Sequence, residues 1–181
     1  MNIQIIGDKS TFAIEYSYFD ESKETQLAMY VNGANILAFE KNDNFLTTRW
    51  NLDELALWLR FFINNLQEDP FPFDCTGEYA AQKDDSARDF DSEDDDIFDA
   101  YYERLYEWDL RHRWHSASSG AILADVYFQL VGDYVEISWN NQNCEADVTF
   151  QNVLGGASID KEVFVSIIDG FLKDYAMHWF N

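Results

Sequence analysis

The sequence predicts an α+β fold in which antiparallel sheets carry about three helices, all within a single domain over residues 1–181. Short segments with strand-like alternation fall into two groups, one before residue 50 and one after residue 120. Three other stretches show the apolar spacing of helices. Strands and helices grouped in this way are typical of α+β domains, and the chain has the length of one domain, roughly 100–200 residues.

The first strand group covers residues 11–48. The sequence Met29-Tyr30-Val31 leads into Asn32 and Gly33, which tolerate the positive φ angles of a type I′ hairpin turn. We therefore expect residues 26–31 and 36–39 to form the hairpin, and residues 45–48 to add another strand. Residues 11–19 alternate, and this predicts one apolar face, formed by Phe12, Ile14, Tyr16 and Tyr18.

The first helix is predicted to begin at Asn51. The Asn51 side chain can cap the helix, and Glu54 follows at the spacing of a capping box. The helix should end near Leu66, because proline at position 70 disfavours helical geometry just before it. Its core-facing stripe consists of Leu52, Leu55, Leu59, Phe62 and Leu66.

Residues 75–96 form the segment richest in acid. Between Asp84 and Asp96 there are eight acidic residues and one basic residue, Arg88. A block of like charges repels itself and usually stays solvated. We therefore expect an acidic loop here and regard it as a candidate mobile segment.

The second helix is expected to start at Asp94, Asp95 and Asp96, since a helix N-terminus favours negative charge. One face should carry Ile97, Tyr101, Leu105 and Trp108. The helix should finish among cations, which the opposite dipole end favours, namely Arg111, His112, Arg113 and His115.

The second strand group is predicted at residues 121–131, 134–139 and 146–150. Gly132 and Asp133 suggest a two-residue turn with glycine first, and Gly155 with Gly156 is expected to end the meander. A last helix should begin around Ser158 or Asp160 and bury an apolar stripe, made of Phe164, Ile167, Ile168, Phe171, Leu172 and Tyr175.

Charge restricts the classes of partner. The chain has 12 Lys and Arg against 34 Asp and Glu, a formal net charge of −22. Bare nucleic acids and anionic membranes bind cationic surfaces, so we expect neither as a direct partner. A basic protein is the natural complement, and solubility is the alternative explanation of the acidity.

The N-terminal sequence, the apolar stretches and the number of cysteines together indicate the cellular compartment. The N-terminus lacks the basic and apolar regions of a secretory signal, and no stretch is apolar enough to span a membrane. Two cysteines, Cys75 and Cys144, are too few for a disulfide framework. We expect a cytoplasmic protein with reduced thiols.

Catalytic signatures are missing from the sequence. There is no Gly-x-Ser-x-Gly elbow and no phosphate-binding glycine loop. His112 and His115 lie three residues apart with Asp109 one turn before, a spacing that can hold zinc. Catalytic zinc needs a third protein ligand, so we expect these histidines to stabilise the helix end. The sequence predicts no enzyme, no cofactor and no metal.

Several short motifs lie within roughly residues 1–66, namely Ile6-Gly7-Asp8, residues 12–16 and 29–33, Ile36, and the leucine-rich helix from Leu52. In these motifs the first third of the chain resembles the bacterial immunity proteins of polymorphic toxin systems, most of all immunity protein 42. This resemblance implies a small cytoplasmic protein, without catalytic activity, that binds a toxin domain and blocks it.

The predicted binding surface combines acids with aromatic anchors, a combination suited to a basic protein partner. The leading hypothesis is an inhibitor that neutralises a cognate toxin. The alternatives are a DNA mimic that inhibits a nucleic-acid-binding enzyme, and a non-catalytic subunit of a bacterial defence complex. The candidate partner-binding residues are Asp91, Glu93, Asp94, Asp95, Asp96, Asp99, Tyr102, Glu103, Tyr106, Glu107 and Trp108.

Overall fold

A computed structural model describes residues 3–19, 22–114, 122–142 and 147–179. These ranges contain three antiparallel sheets and four helices, so the predicted α+β class is confirmed with one helix more than expected. Several predictions fall outside the described residues, namely those on His115, on Cys144, on residues 121 and 146, and on the side chain of Tyr18.

The first sheet has β3 (Ser22–Val31) at its centre. On one side lie β2 (Phe12–Phe19) and then β1 (Ile3–Asp8), and on the other side β3 pairs with β4 (Ala34–Asn35) and β7 (Arg49–Asn51). Asn32 and Gly33 have φ angles of 49° and 84°, as the hairpin turn requires. The predicted apolar face is confirmed where it is described, because Phe12, Ile14 and Tyr16 are all buried.

The return strand of this hairpin differs from the prediction. It is β4, only two residues long, and not residues 36–39. The side chain of Asn35 accepts a hydrogen bond from the Leu37 amide at 3.1 Å, and such a bond turns the chain. Ile36 and Leu37 are thereby fully buried, and the chain continues into another sheet.

That second sheet is small and joins distant parts of the chain. It contains β5 (Ala38–Lys41), β6 (Asn44–Thr47) and β11 (Val148–Phe150), in the order β11-β5-β6. Phe39 and Phe150 pack with ring centroids 5.7 Å apart.

The third sheet has the order β12-β10-β9-β8, with β8 (Arg113–Trp114), β9 (Val126–Val131), β10 (Tyr134–Asn140) and β12 (Leu154–Asp160). The expected turn joins β9 to β10, with Gly132 at a φ of 58°. Gly155 and Gly156 were expected to break the strands, but both lie inside β12.

The reason is close packing against large rings. A Cβ atom on Gly155 would lie 2.5 Å from the Trp139 ring, and one on Gly156 would lie 2.5 Å from the Tyr79 ring. The two glycines therefore make room for aromatic side chains on this strand.

The helices are α1 (Leu52–Asn64), α2 (Ala80–Ala87), α3 (Asp95–His112) and α4 (Lys161–Trp179). The Asn51 side chain caps α1 as predicted, accepting from the Asp53 amide at 2.9 Å. Asp160 does the same for α4, because its carboxylate accepts from the Glu162 and Val163 amides. No helix in the described ranges combines the length and apolar character needed to cross a membrane.

The segment 75–96 contains α2, which corrects the prediction of a loop. Ala80, Ala81 and Ala87 are buried, and Asp84 pairs with Arg88 one turn later at 2.8 Å. Packing and this pair offset the like-charge repulsion on which the loop prediction was based. The mobility of the remaining residues stays a prediction.

The third sheet is covered on both faces. Alternate residues such as Phe128, Val135 and Ile137 join the main core with α1, α4 and the first sheet. The opposite face carries Tyr127, Gln129, Glu136 and Ser138, and α2 and α3 pack on it. We call this α2–α3 layer the acidic cap.

Candidate partner-binding surface

Helix α3 is the outer element of the acidic cap, and charges at both of its ends favour the helix. The Asp94 carboxylate accepts from the amides of Asp96 and Ile97 at 3.1 and 3.2 Å. The last turn contains Arg111 and His112. Acids at the start and cations at the end interact favourably with the helix dipole. The predicted start of this helix at Asp94, Asp95 and Asp96 is confirmed.

The inner face of α3 is buried. It carries Leu105, Trp108, Asp109 and His112. Trp108 is 1% exposed, packs edge-on against Phe71 at 4.8 Å between centroids, and donates to the Asp69 carbonyl at 3.2 Å. Trp108 was predicted as a partner anchor, and that prediction is wrong, because the segment around Asp69 and Phe71 covers it.

A chain of ion pairs joins the inner face of α3 to α2 and the third sheet. Arg88 donates to Asp84 at 2.8 and 3.0 Å and to Asp109 at 2.5 Å. Arg113 lies 3.6 Å from Asp109 and bonds Asp125 at 2.5 Å. The Tyr127 hydroxyl donates to Asp84 at 2.7 Å. Every carboxylate of this inner network therefore has a cationic partner.

The inner network shifts the ionisation of its members. Burial raises the pKa of Asp109 to about 6, and the nearby charge of Asp84 acts in the same direction, while Arg88 and Arg113 oppose it. Burial, followed by the Asp84 charge, also raises the pKa of Tyr127. The ion pairs and hydrogen bonds of the inner network hold both side chains in place, and we assign neither of them a catalytic role.

His112 is fully engaged within the fold. Its Nδ1 lies 2.8 Å from the Phe128 carbonyl oxygen, and its Nε2 lies 3.0 Å from an Asp69 carboxylate oxygen. Both ring nitrogens are therefore within hydrogen-bond distance of an oxygen atom inside the fold. In the part of the chain that the structure describes, no three His, Cys, Asp or Glu side chains form a group that could hold a metal ion.

The outer face of α3 is different, because its carboxylates are exposed and unpaired. Asp95, Asp99, Glu103 and Glu107 follow one another every four residues and so lie along one side of the helix. Among the described residues, no salt bridge is made by the acids on this side of α3 or by the exposed acids Asp91 and Glu93 in the segment that precedes the helix. These exposed acids are Asp91, Glu93, Asp95, Asp96, Asp99, Glu103 and Glu107.

The predicted tyrosine anchors have two different environments. Tyr106 is 61% exposed and free to meet a partner. The Tyr102 hydroxyl instead donates to the carbonyls of Arg88 and Phe90 at 2.9 and 3.0 Å, so Tyr102 also holds the loop before α3. The predicted acids of α3 and both tyrosines thus lie on one helix, with Asp91 and Glu93 exposed in the segment before it, whereas Trp108 lies on the buried face.

Sequence reasoning missed two apolar members of this surface, Phe98 and Leu110. They are 36% and 39% exposed, and the Phe98 ring lies 4.6 Å from Tyr102. With Tyr102 and Tyr106 they form a stripe at a spacing of four residues, parallel to the carboxylate stripe. That spacing was readable in the sequence. We call the two stripes together the outer face of α3.

Comparisons with known proteins add little. No protein-family model matches the chain, and a search of curated proteins finds no match. Among solved structures, the crystal structure of CdiI from Burkholderia dolosa AUO158 is similar, at 12% sequence identity and a TM-score of 0.49. The similarity covers 94% of this chain and 99% of that one. A likeness of this size carries no inference about fold or function.

Proposed function

We propose that this protein is a non-catalytic, stoichiometric inhibitor that binds a basic cognate protein, a bacterial toxin domain, through the outer face of α3. The observation that carries the proposal is the row of exposed, unpaired carboxylates along that helix. The resemblance of the first third to immunity proteins supports the toxin as the class of partner.

The unpaired acids suit capture of a basic surface. An exposed carboxylate row accelerates association with a complementary patch towards ~10⁸–10⁹ M⁻¹s⁻¹ at low salt. Ion pairs that already exist within a protein must be broken before they can serve a partner, whereas free carboxylates need no such rearrangement. The outer face is therefore better placed for this role than the inner network.

Affinity requires an apolar centre as well as charge. Buried aromatic anchors dominate the energies of protein interfaces, and Tyr106 with Phe98 and Leu110 supplies such a strip beside the acids. Burial of this strip would slow dissociation, and the carboxylates would set the rate of association.

The test uses the protein encoded by the neighbouring gene, expressed as an inactive variant and purified. We expect the triple variant D99K/E103K/E107K to weaken its binding at least 100-fold at low salt. The matched control D133K/E162K/D169K reverses three exposed acids elsewhere and has the same net charge. Equal losses in the two variants would show a general charge effect and reject the outer face as the site.

The alternatives give different outcomes in the same system. A DNA mimic would compete with duplex DNA for the partner, and its binding would be lost as duplex is added. A non-catalytic subunit would form a complex in which the partner keeps its activity. Full loss of toxin activity at one equivalent of this protein, without competition by duplex, is the result expected of a direct inhibitor.

A further inference from the structure

A second anionic site lies beside the acidic cap, at the cavity that Glu136 lines. This open cavity has a volume of about 490 Å³ and is lined by the segment before α2, the first turns of α2, and the β9–β10 hairpin. Its size is within the range of about 300–1,000 Å³ that is usual for ligand sites. Aromatic side chains, Phe71 and Phe73, form part of its wall.

The charges around the cavity are unbalanced. Its lining contains four carboxylates and one amine, that of Lys83. Within the described ranges, none of these carboxylates forms a salt bridge. Three of them, Glu68, Asp74 and Glu78, are exposed at the rim. The Glu68 carboxylate accepts from the Gly132 amide at 3.1 Å, which fixes it at the hairpin.

The carboxylate of Glu136 is the buried one, with only 9% of the residue exposed. Its Oε1 accepts from the Ala80 amide at 2.7 Å and from the Ser138 hydroxyl at 3.1 Å. Its Oε2 receives no hydrogen bond from any described residue. Buried carboxylates are normally paired with a cation, and no basic side chain of the described residues forms a salt bridge with this one.

The start of α2 compensates part of this charge. A helix N-terminus favours a nearby negative charge, and the Ala80 amide and the Ser138 hydroxyl bond only one of the two carboxylate oxygens of Glu136. A metal ion is a poor candidate, because the described residues contain no group of three side chains able to hold one. Carboxylates beside aromatic rings instead match a guanidinium group, which bonds carboxylates in a fork and stacks on rings. Phe73 already stacks on Tyr101 at 3.9 Å between ring centroids and has Arg104 5.4 Å from its centroid, so Phe71 is the ring left for a ligand.

We propose that the Glu136 cavity binds the side chain of an arginine presented by a protein. The guanidinium would bond Oε2 of Glu136 and stack against Phe71, while the rim acids attract it. That the arginine comes from the cognate partner rests on the proposed function. The chemistry of the cavity does not, so it is testable without any partner.

The probe is capped arginine (Nα-acetyl-arginine methylamide), titrated into the ¹⁵N-labelled full chain at low salt. The Gly132 amide at the cavity edge reports binding through its NMR shift. We expect saturable binding of capped arginine and at least tenfold weaker binding of capped citrulline, which has nearly the same shape without the charge. Equal binding of the two, or no saturable shift, would overturn the proposal.

Substitutions inside and outside the cavity test whether capped arginine binds at Glu136. Glu136→Gln keeps an oxygen for the Ala80 amide but removes the charge, and we expect about tenfold weaker binding of capped arginine, the loss of one hydrogen bond to a charged group. Glu162→Gln, an exposed acid outside the cavity, should leave the affinity unchanged. The double variant D74N/E78Q alters only the rim and provides a second test if Glu136→Gln folds poorly. Unchanged affinity in both cavity variants would contradict the site.

The experiments distinguish failure of the cavity proposal from failure of the proposed function. If capped arginine does not bind but the D99K/E103K/E107K variant still loses the cognate protein, the cavity is rejected and the inhibitor proposal stands. If capped arginine binds through Glu136 but the charge reversals on α3 have no effect, the cavity stands and the outer face is rejected.

Discussion

The two faces of α3 carry the same residue types in opposite states. On the inner face, Asp109 is buried between two arginines, and Trp108 is covered. On the outer face, Glu103 and Glu107 are exposed and pair with no described cation, and Tyr106 is open to solvent. Among the described residues, the buried acid Asp109 of α3 is thus held by ion pairs, whereas the acids of the outer face form none.

This difference between the two faces indicates which charged residues stabilise the fold. Three basic residues of the cap region, Arg88, Arg111 and Arg113, are each bonded to an aspartate. Two of the aspartates in these pairs, Asp84 and Asp109, are buried. Removal of one partner from a buried pair is costly because the other charge is left uncompensated. Exposed charges contribute little to stability. The inner face therefore serves folding, and the outer face is left for interaction.

The largest effect is expected from Arg88→Met, which would break the inner network. Asp84 and Asp109 are buried and would lose the arginine that they share. Because the Arg88 side chain is itself 43% exposed, we expect the free energy of unfolding in urea to fall by about 2–4 kcal/mol, less than for a fully buried pair. Arg104→Met removes an exposed arginine from the same helix layer and should cost no more than about 1 kcal/mol. Similar losses in the two variants would mean that the faces do not differ.

A smaller effect is expected from Asp109→Asn, and it should depend on pH. The pKa of Asp109 is raised to about 6 in the folded protein, above the unfolded value of about 3.9. Folding therefore favours the protonated form, and wild-type stability falls as pH rises from about 4 through about 6.

Asparagine stays neutral at every pH. We therefore expect the unfolding free energy of D109N to increase relative to wild type by about 1–3 kcal/mol between pH 4 and pH 7.5. Urea unfolding of both proteins at the two pH values measures it. A difference that shrinks as pH rises would show that Asp109 is stabilised as the anion.

The smallest effect is expected on the outer face. D99N/E103Q/E107Q removes carboxylates that repel one another at a spacing of four residues, and we expect the free energy of unfolding to rise by about 0.5 kcal/mol. Urea unfolding of this variant and of the wild type measures the change. A loss of more than about 1 kcal/mol would reveal that these acids support the fold, contrary to the comparison of the two faces.

Local patterns predicted much of the secondary structure. Asn51 caps α1, Asp94 caps α3, and Asn32 with Gly33 forms the hairpin turn, because each of these depends on residues within a few positions of one another. The predictions failed where distant contacts decide the outcome. Gly155 and Gly156 stay in a strand because Trp139 and Tyr79 lie against them, and α2 forms within an acidic segment because it packs on the third sheet.

The sequence by itself determined the α+β class, the acidity of the chain and the acids of α3, since composition and short spacings specify all three. Only the tertiary structure decided which carboxylates are free. Asp84, Arg88 and Asp109 meet across 25 positions of the chain, and Trp108 is covered by residues 39 positions away. Contacts at such separations depend on how helices and sheets pack, and no local pattern of residues encodes them.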